Sequence, residues 1–235
     1  MGLRTWFGLS PRRDVDQTVS VSTAAVDEIV VTTNTEDILV RPSPSATEAS
    51  VTLMGWSRRD VAITGEQRGR SFVVGPLPDP FFPPRLPEDL RVEVVVPASF
   101  NGRVSVASSS GAIELRDVSA EAFVVSTESG GVQLSGVDGD VAARTSSGAV
   151  TATWEPDTHR VRLPSMDIQS VSGAVDVRLP TAAQFSLDAA SATGALLSTF
   201  PVEATRTTLS GRAGSADTTI RIRTTSGKVS VRTSD

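Results

Sequence analysis

The chain has 235 residues, 22 Lys+Arg against 27 Asp+Glu, and a formal net charge of −5. Lys228 is the only lysine and the arginines are scattered, so the basic stripe of a nucleic-acid surface is missing. Cysteine and tyrosine are both absent, which excludes disulfides and thiolate metal sites and leaves few aromatic platforms for a sugar.

From the N-terminus, residues 1–17 read as a tail or a short helix over Met1 to Leu9. Its apolar residues Leu3, Trp6, Phe7 and Leu9, beside Arg12 and Arg13, form too short a run for a signal peptide. This segment is the one place where membrane contact is expected. With no apolar span elsewhere, the expected location is cytoplasmic, a cell-surface location being the weaker alternative.

Residues 18–235 read as one β domain in three parts. In the first, 18–98, Val19 and Val21, Ile29 and Val31, Ile38 and Val40, and Val51 and Leu53 alternate as strands do. This part has no fixed period and is expected to form irregular rungs. Gly75 to Pro87 carries six prolines, too many for a central strand, and reads as a stiff loop. Leu90, Val92, Val94 and Val96 then resume the alternation.

The second part, 99–180, repeats. Ser110-Gly111, Ser129-Gly130, Ser147-Gly148 and Ser172-Gly173 mark recurrent corners, with Thr193-Gly194 and Ser226-Gly227 following later. Gly111, Gly130 and Gly148 recur at a period of about 19 residues, and the pairs Ile113 with Val132 and Leu115 with Leu134 keep the same step. A glycine fixed in a strand-rich period requires positive φ or close backbone approach, and stacked corners of that kind make a β-solenoid. Ile113, Leu115, Val132, Leu134 and Val150 should therefore share one continuous core. Val118 and Val137 should plug the opposite corner.

The interval from Gly148 to Gly173 is clearly longer than one period, so a loop projects there, over Thr153 to Pro164. It holds Trp154, Glu155, Asp157, His159 and Arg160, an aromatic beside both charges, and is the expected partner-contact segment. The single histidine with two carboxylates reads as solvated surface rather than as a metal site. The third part, 181–235, is looser: the interval from Gly194 to Gly227 is longer still, a second excursion falls over Pro201 to Gly214, and Ile220, Ile222, Val229 and Val231 close the chain. The corner hydroxyls, from Ser109 and Ser110 through Ser129, Ser146, Ser147, Ser170 and Ser172 to Thr225 and Ser226, should align in one row. They are expected to bond turn backbone, as Ser and Thr do at tight corners.

The phrase Val92 to Pro97, the SG-apolar-x-apolar repeats from Gly111 to Gly173, Arg178-Leu179-Pro180 and the closing Thr224 to Arg232 together resemble the bacterial putative adhesin family, a domain of unknown function. The resemblance covers most of residues 30–235. It implies a β-solenoid of the β-helix or β-roll kind and brings no catalytic residues with it. No G-x-S-x-G elbow or phosphate loop occurs. The sequence therefore points to a non-catalytic binding or scaffold module without cofactor or metal, whose partner is a protein or a glycan. Its rivals are a bactofilin-like protein that self-associates end to end and, less favoured, a β-helix carbohydrate enzyme.

Overall fold

The computed structural model describes residues 11–58, 60–75, 89–155, 163–214 and 218–234, and among these every regular element is a strand. The opening strands are β1 (Arg13–Ser22), β2 (Glu28–Thr33), β3 (Asp37–Ser43), β4 (Glu48–Ser57), β5 (Gly65–Arg68), β6 (Ser71–Val74) and β7 (Asp89–Pro97). The repeats supply β8 (Arg103–Ser108), β9 (Ile113–Arg116), β10 (Ser119–Thr127), β11 (Val132–Ser135), β12 (Asp138–Thr145), β13 (Val150–Thr153), β14 (Met166–Ser170) and β15 (Val175–Leu179). The chain ends with β16 (Phe185–Ser191), β17 (Leu196–Ser198), β18 (Glu203–Ala204), β19 (Thr208–Ala213), β20 (Thr219–Thr224) and β21 (Val229–Thr233).

Two sheets enclose one core, and successive strands of the repeats fall in alternate sheets. Sheet A runs β1-β4-β7-β3-β9-β11-β13-β15-β21-β17, and sheet B runs β5-β6-β2-β8-β10-β12-β14-β20-β16-β19-β18. A rung is one strand of each, such as β10 followed by β11. Within the stack the rungs pair in parallel and in register. Ile113, Val132, Val150, Val175 and Val229 form one column in sheet A, and Leu115, Leu134, Ala152, Val177 and Val231 the next. Sheet B answers with Val104, Phe123, Val141, Met166, Ile220 and Leu187. All of these are buried. The sequence period is therefore the length of one rung, and each strand adds about two inward side chains to a narrow core.

The two corners of a rung work differently. At the Ser/Thr-Gly corner the glycines stack: a Cβ on Gly130 would lie 2.0 Å from the carbonyl oxygen of Gly111, and one on Gly148 would lie 1.7 Å from that of Gly130. None of these corner glycines has positive φ, so close approach is the reason for them. At the other corner Asp117 and Gly136, one repeat apart, both take positive φ, and the valines that follow them, Val118 and Val137, are buried as plugs.

The stacking order departs from chain order at both ends. The pair β2/β3 lies between β6/β7 and β8/β9, and the pair β20/β21 lies between β14/β15 and β16/β17. Outside them sit antiparallel strands. At one end β1 pairs with β4 and β4 with β7, while Gln17 accepts from the Ile63 amide (3.1 Å) and donates to the Val61 carbonyl (3.0 Å). At the other end β19 pairs antiparallel with β16, and Phe200 meets Phe185 edge to face at 5.0 Å.

These caps correct two expectations. The segment 1–17 is not all tail: β1 begins at Arg13, because Val15 turns inward while the strand pairs along the full length of β4. The helix expected over Met1 to Leu9 lies outside the described residues. The excursion expected over Pro201 to Gly214 is instead the hairpin of β18 and β19, and Leu209 and Ala213 are buried against the core.

Candidate functional site

The hydroxyls divide into an inner and an outer row. The inner row sits three residues before each corner glycine, at Ser108, Thr127, Thr145, Ser170, Ser191 and Thr224, and is buried. Thr127, Thr145 and Thr224 each accept from the glycine amide at 3.0 Å, and Ser108 and Ser191 at 2.9 Å. Ser170 donates to the Gly173 carbonyl at 3.1 Å. These groups are committed to the corner. The outer row, Ser110, Ser129, Ser147, Ser172, Thr193 and Ser226, is exposed, and members of it still reach the neighbouring rung: Ser172 donates to the Ser146 carbonyl at 3.2 Å and Thr193 to the Thr225 carbonyl at 3.3 Å.

Of the loop residues singled out from sequence, Trp154 and Glu155 fall among the described residues. Trp154 is buried, and its Nε1 donates to the Val137 carbonyl at 2.9 Å, so the indole fills the corner beneath β13. That corrects its expected place in an exposed contact. The physical reason is that the rung still needs an apolar plug after β13, and Trp154 supplies it. Glu155 is exposed beside it. Asp157, His159 and Arg160 lie outside the described residues, as does the proline-rich run after Gly75.

The outer face of sheet B provides a depression. The outward positions of β10 and β12 are small, Ala122, Val124 and Ala142, and around them stand Arg103, Asp140, Arg144, Asp167 and Arg221. The hollow has a volume of about 500 Å³. A second hollow of about 430 Å³ adjoins it across Arg144 and is lined by Ser126, Glu128, Ser146, Gln169 and Arg223. Neither Arg103 nor Arg144 has an ion-pair partner among the described residues. By contrast Arg223 bonds Asp188 and holds its carboxyl below the ordinary range. Long charged side chains around a floor of small residues make a shallow trough that offers both donors and acceptors to an extended ligand.

Sheet A is more self-satisfied. Asp176 loses solvation by partial burial, yet Arg232 and Arg178 donate to it and together hold its carboxyl below the usual value. Arg41 does the same for Glu93, and Arg116 pairs with Glu114. Between these pairs the middle of the face carries Gln133, Ser135, Thr151 and Thr153, with no titratable group among them. Among the described residues no three His, Cys, Asp or Glu side chains are grouped to hold a metal ion. Among the described residues, the acids held below their ordinary values are Asp27, Glu93, Asp176 and Asp188, and each of them bonds an arginine.

The family model described as Toastrack DUF4097 matches residues 89–232. The chain belongs to the Toastrack family. The matched region of this Toastrack protein begins with β7 and ends in β21, so it contains the whole regular stack and the sheet B trough. The solved structure of a putative cell adhesion protein from Clostridium sporogenes is similar over 94% of this chain and 100% of its own, with a TM-score of 0.57 and 11% identity. A putative adhesin from Bacteroides fragilis aligns over 93% of this chain and 96% of its own, with a TM-score of 0.45 and 13% identity. At such identities the first likeness speaks for the fold alone. No curated protein matches the chain.

The sequence did not single out the trough, because its residues are ordinary outward positions of strands and nothing in a linear pattern separates them from other polar outward positions. One signal was available. Asp140, Ala142 and Arg144 alternate with the inward Val141 and Ala143, and one period earlier their register partners are the small residues Ala122, Val124 and Ser126.

Proposed function

We propose that this Toastrack chain is a non-catalytic binding module, a solenoid of the β-roll kind whose stacked rungs hold the outer face of sheet B as a rigid contact surface. The observation that carries the reading is the trough around Ala122, Val124 and Ala142, with Arg103 and Arg144 at its rim and without an ion-pair partner among the described residues. A preformed hollow on a stiff sheet needs little ordering when a ligand arrives, which favours affinity. Arginines without an internal carboxylate remain available to one from a partner. The partner this suits is a protein segment or glycan carrying carboxylates. Family membership and the fold likeness to a protein described as a putative cell adhesion protein are consistent with such a role.

Arg144 borders both hollows, so Arg144→Glu tests the reading. In capture from the native host, the variant should lose the specific partner at least tenfold relative to the parent, about 1.4 kcal/mol. Glu155→Arg, on the loop side, should capture as the parent does. Equal recovery by parent and Arg144→Glu would overturn the sheet B reading. Loss with Glu155→Arg alone would move the contact to the loop beyond Trp154.

A further inference from the structure

The last two strands of the chain occupy an internal slot. In sheet B, Ile220 pairs with Met166 on one side and Leu187 on the other, and Ile222 with Ile168 and Ala189. In sheet A, Val229 pairs with Val175 and Leu196, and Val231 with Val177 and Ser198. All four inserted residues are fully buried. The corner follows suit: a Cβ on Gly227 would lie 2.0 Å from the carbonyl oxygen of Gly173, and one on Gly194 would lie 2.0 Å from that of Gly227.

The walls of the slot are therefore in register with each other through the inserted pair. The interval from Gly173 to Gly194 is close to one period, so β16/β17 can also stack directly on β14/β15 in plain chain order. If β20 and β21 leave, the walls can close and satisfy each other's backbone groups. The expelled pair cannot: each of its two strands bares two ladder edges, and together they carry four apolar side chains. The place that fits it has a glycine corner and inward partners at the same spacing, which is the same slot in a second copy of this chain.

We propose that β20 and β21 exchange between copies of this chain, giving a reciprocal dimer in which each copy fills the other's slot. Every pairing of β20 and β21 with the walls of the slot is then remade between chains, which is why exchange of an identical element has a low free-energy cost. This is lateral insertion, distinct from end-to-end stacking, and it leaves the antiparallel caps intact.

The absence of cysteine makes the test clean. Arg178 and Arg232 are exposed register partners on β15 and β21, adjacent strands about 4.8 Å apart and within disulfide reach. Arg178→Cys and Arg232→Cys are made in separate full-length chains, mixed, taken briefly to urea just short of the unfolding midpoint, concentrated and oxidised. The exchange predicts the mixed disulfide dimer in several-fold excess over either homodimer. The double variant in one chain, oxidised while dilute, closes internally and should then sediment as a monomer at every concentration. A mixed dimer at only the statistical level of twice either homodimer, or dimers persisting in the closed double variant, would overturn the exchange.

Discussion

At Gly148, replacing one hydrogen by a methyl group would put a carbon 1.7 Å from the carbonyl oxygen of Gly130, and that oxygen belongs to a corner stacked between two others. Gly148→Ala is therefore expected to cost about 3 kcal/mol or more, since neither rung can move without dragging its neighbours. Gly131 is the matched control: its Cβ would meet only the Ala149 carbonyl, at 3.6 Å, so Gly131→Ala should stay within about 0.5 kcal/mol of the parent in urea denaturation. Asp176 gives a pH-dependent counterpart. Its folded carboxyl titrates below the ordinary value of 3.8 because Arg232 and Arg178 outweigh its partial burial. The unfolded state therefore binds the proton first, and the contribution is complete above that value and lost as pH falls through the folded one. In thermal melts taken from neutral pH downward, the advantage of the parent over Asp176→Asn should be constant until the pH nears 3.8 and then shrink. An advantage that grows on acidification would contradict the assigned pairing.

Among the elements, β13 and the residues that follow it show where sequence patterns stop short. Trp154 stands immediately after the last residue of a strand and before a run rich in charge, and its neighbours suggest surface. It is placed instead by the geometry of the corner, where the Val137 carbonyl of the preceding rung lies 2.9 Å from its Nε1. Trp154→Ala should cost about 3 to 5 kcal/mol, from the cavity and the unpaired carbonyl together, whereas Glu155→Ala should change stability by less than about 0.5 kcal/mol. Chemical denaturation of the two variants separates an inward tryptophan from an exposed one. The same element scale explains the caps. The β18/β19 hairpin reads as a loop because Thr205, Arg206 and Gly211 break the apolar alternation, yet Leu209 has to cover the end of the core and draws β19 onto β16.

For the molecule as a whole, the repeat spacing anticipated the stack: Ile113 with Val132, Leu115 with Leu134 and Val132 with Val150 are register partners as the period requires. The rung order at the ends was not legible, because β16/β17 and β20/β21 carry the same inward alternation and the same Ser/Thr-Gly corner, and a local pattern does not say which of two equivalent rungs lies inside. The candidate site was illegible for a related reason: the trough arises from outward residues on several neighbouring rungs, and no single segment contains it. The inserted position of β20/β21 is the point on which both the core and the exchange depend. Methyl–methyl contacts measured by NMR in the labelled full-length protein test it directly. Ile222 should contact both Ile168 and Ala189, its neighbours at about 4.8 Å strand spacing, while Ile168 and Ala189, two strands apart, should give no cross-peak. A direct Ile168–Ala189 contact, with Ile222 touching at most one of them, would contradict the insertion.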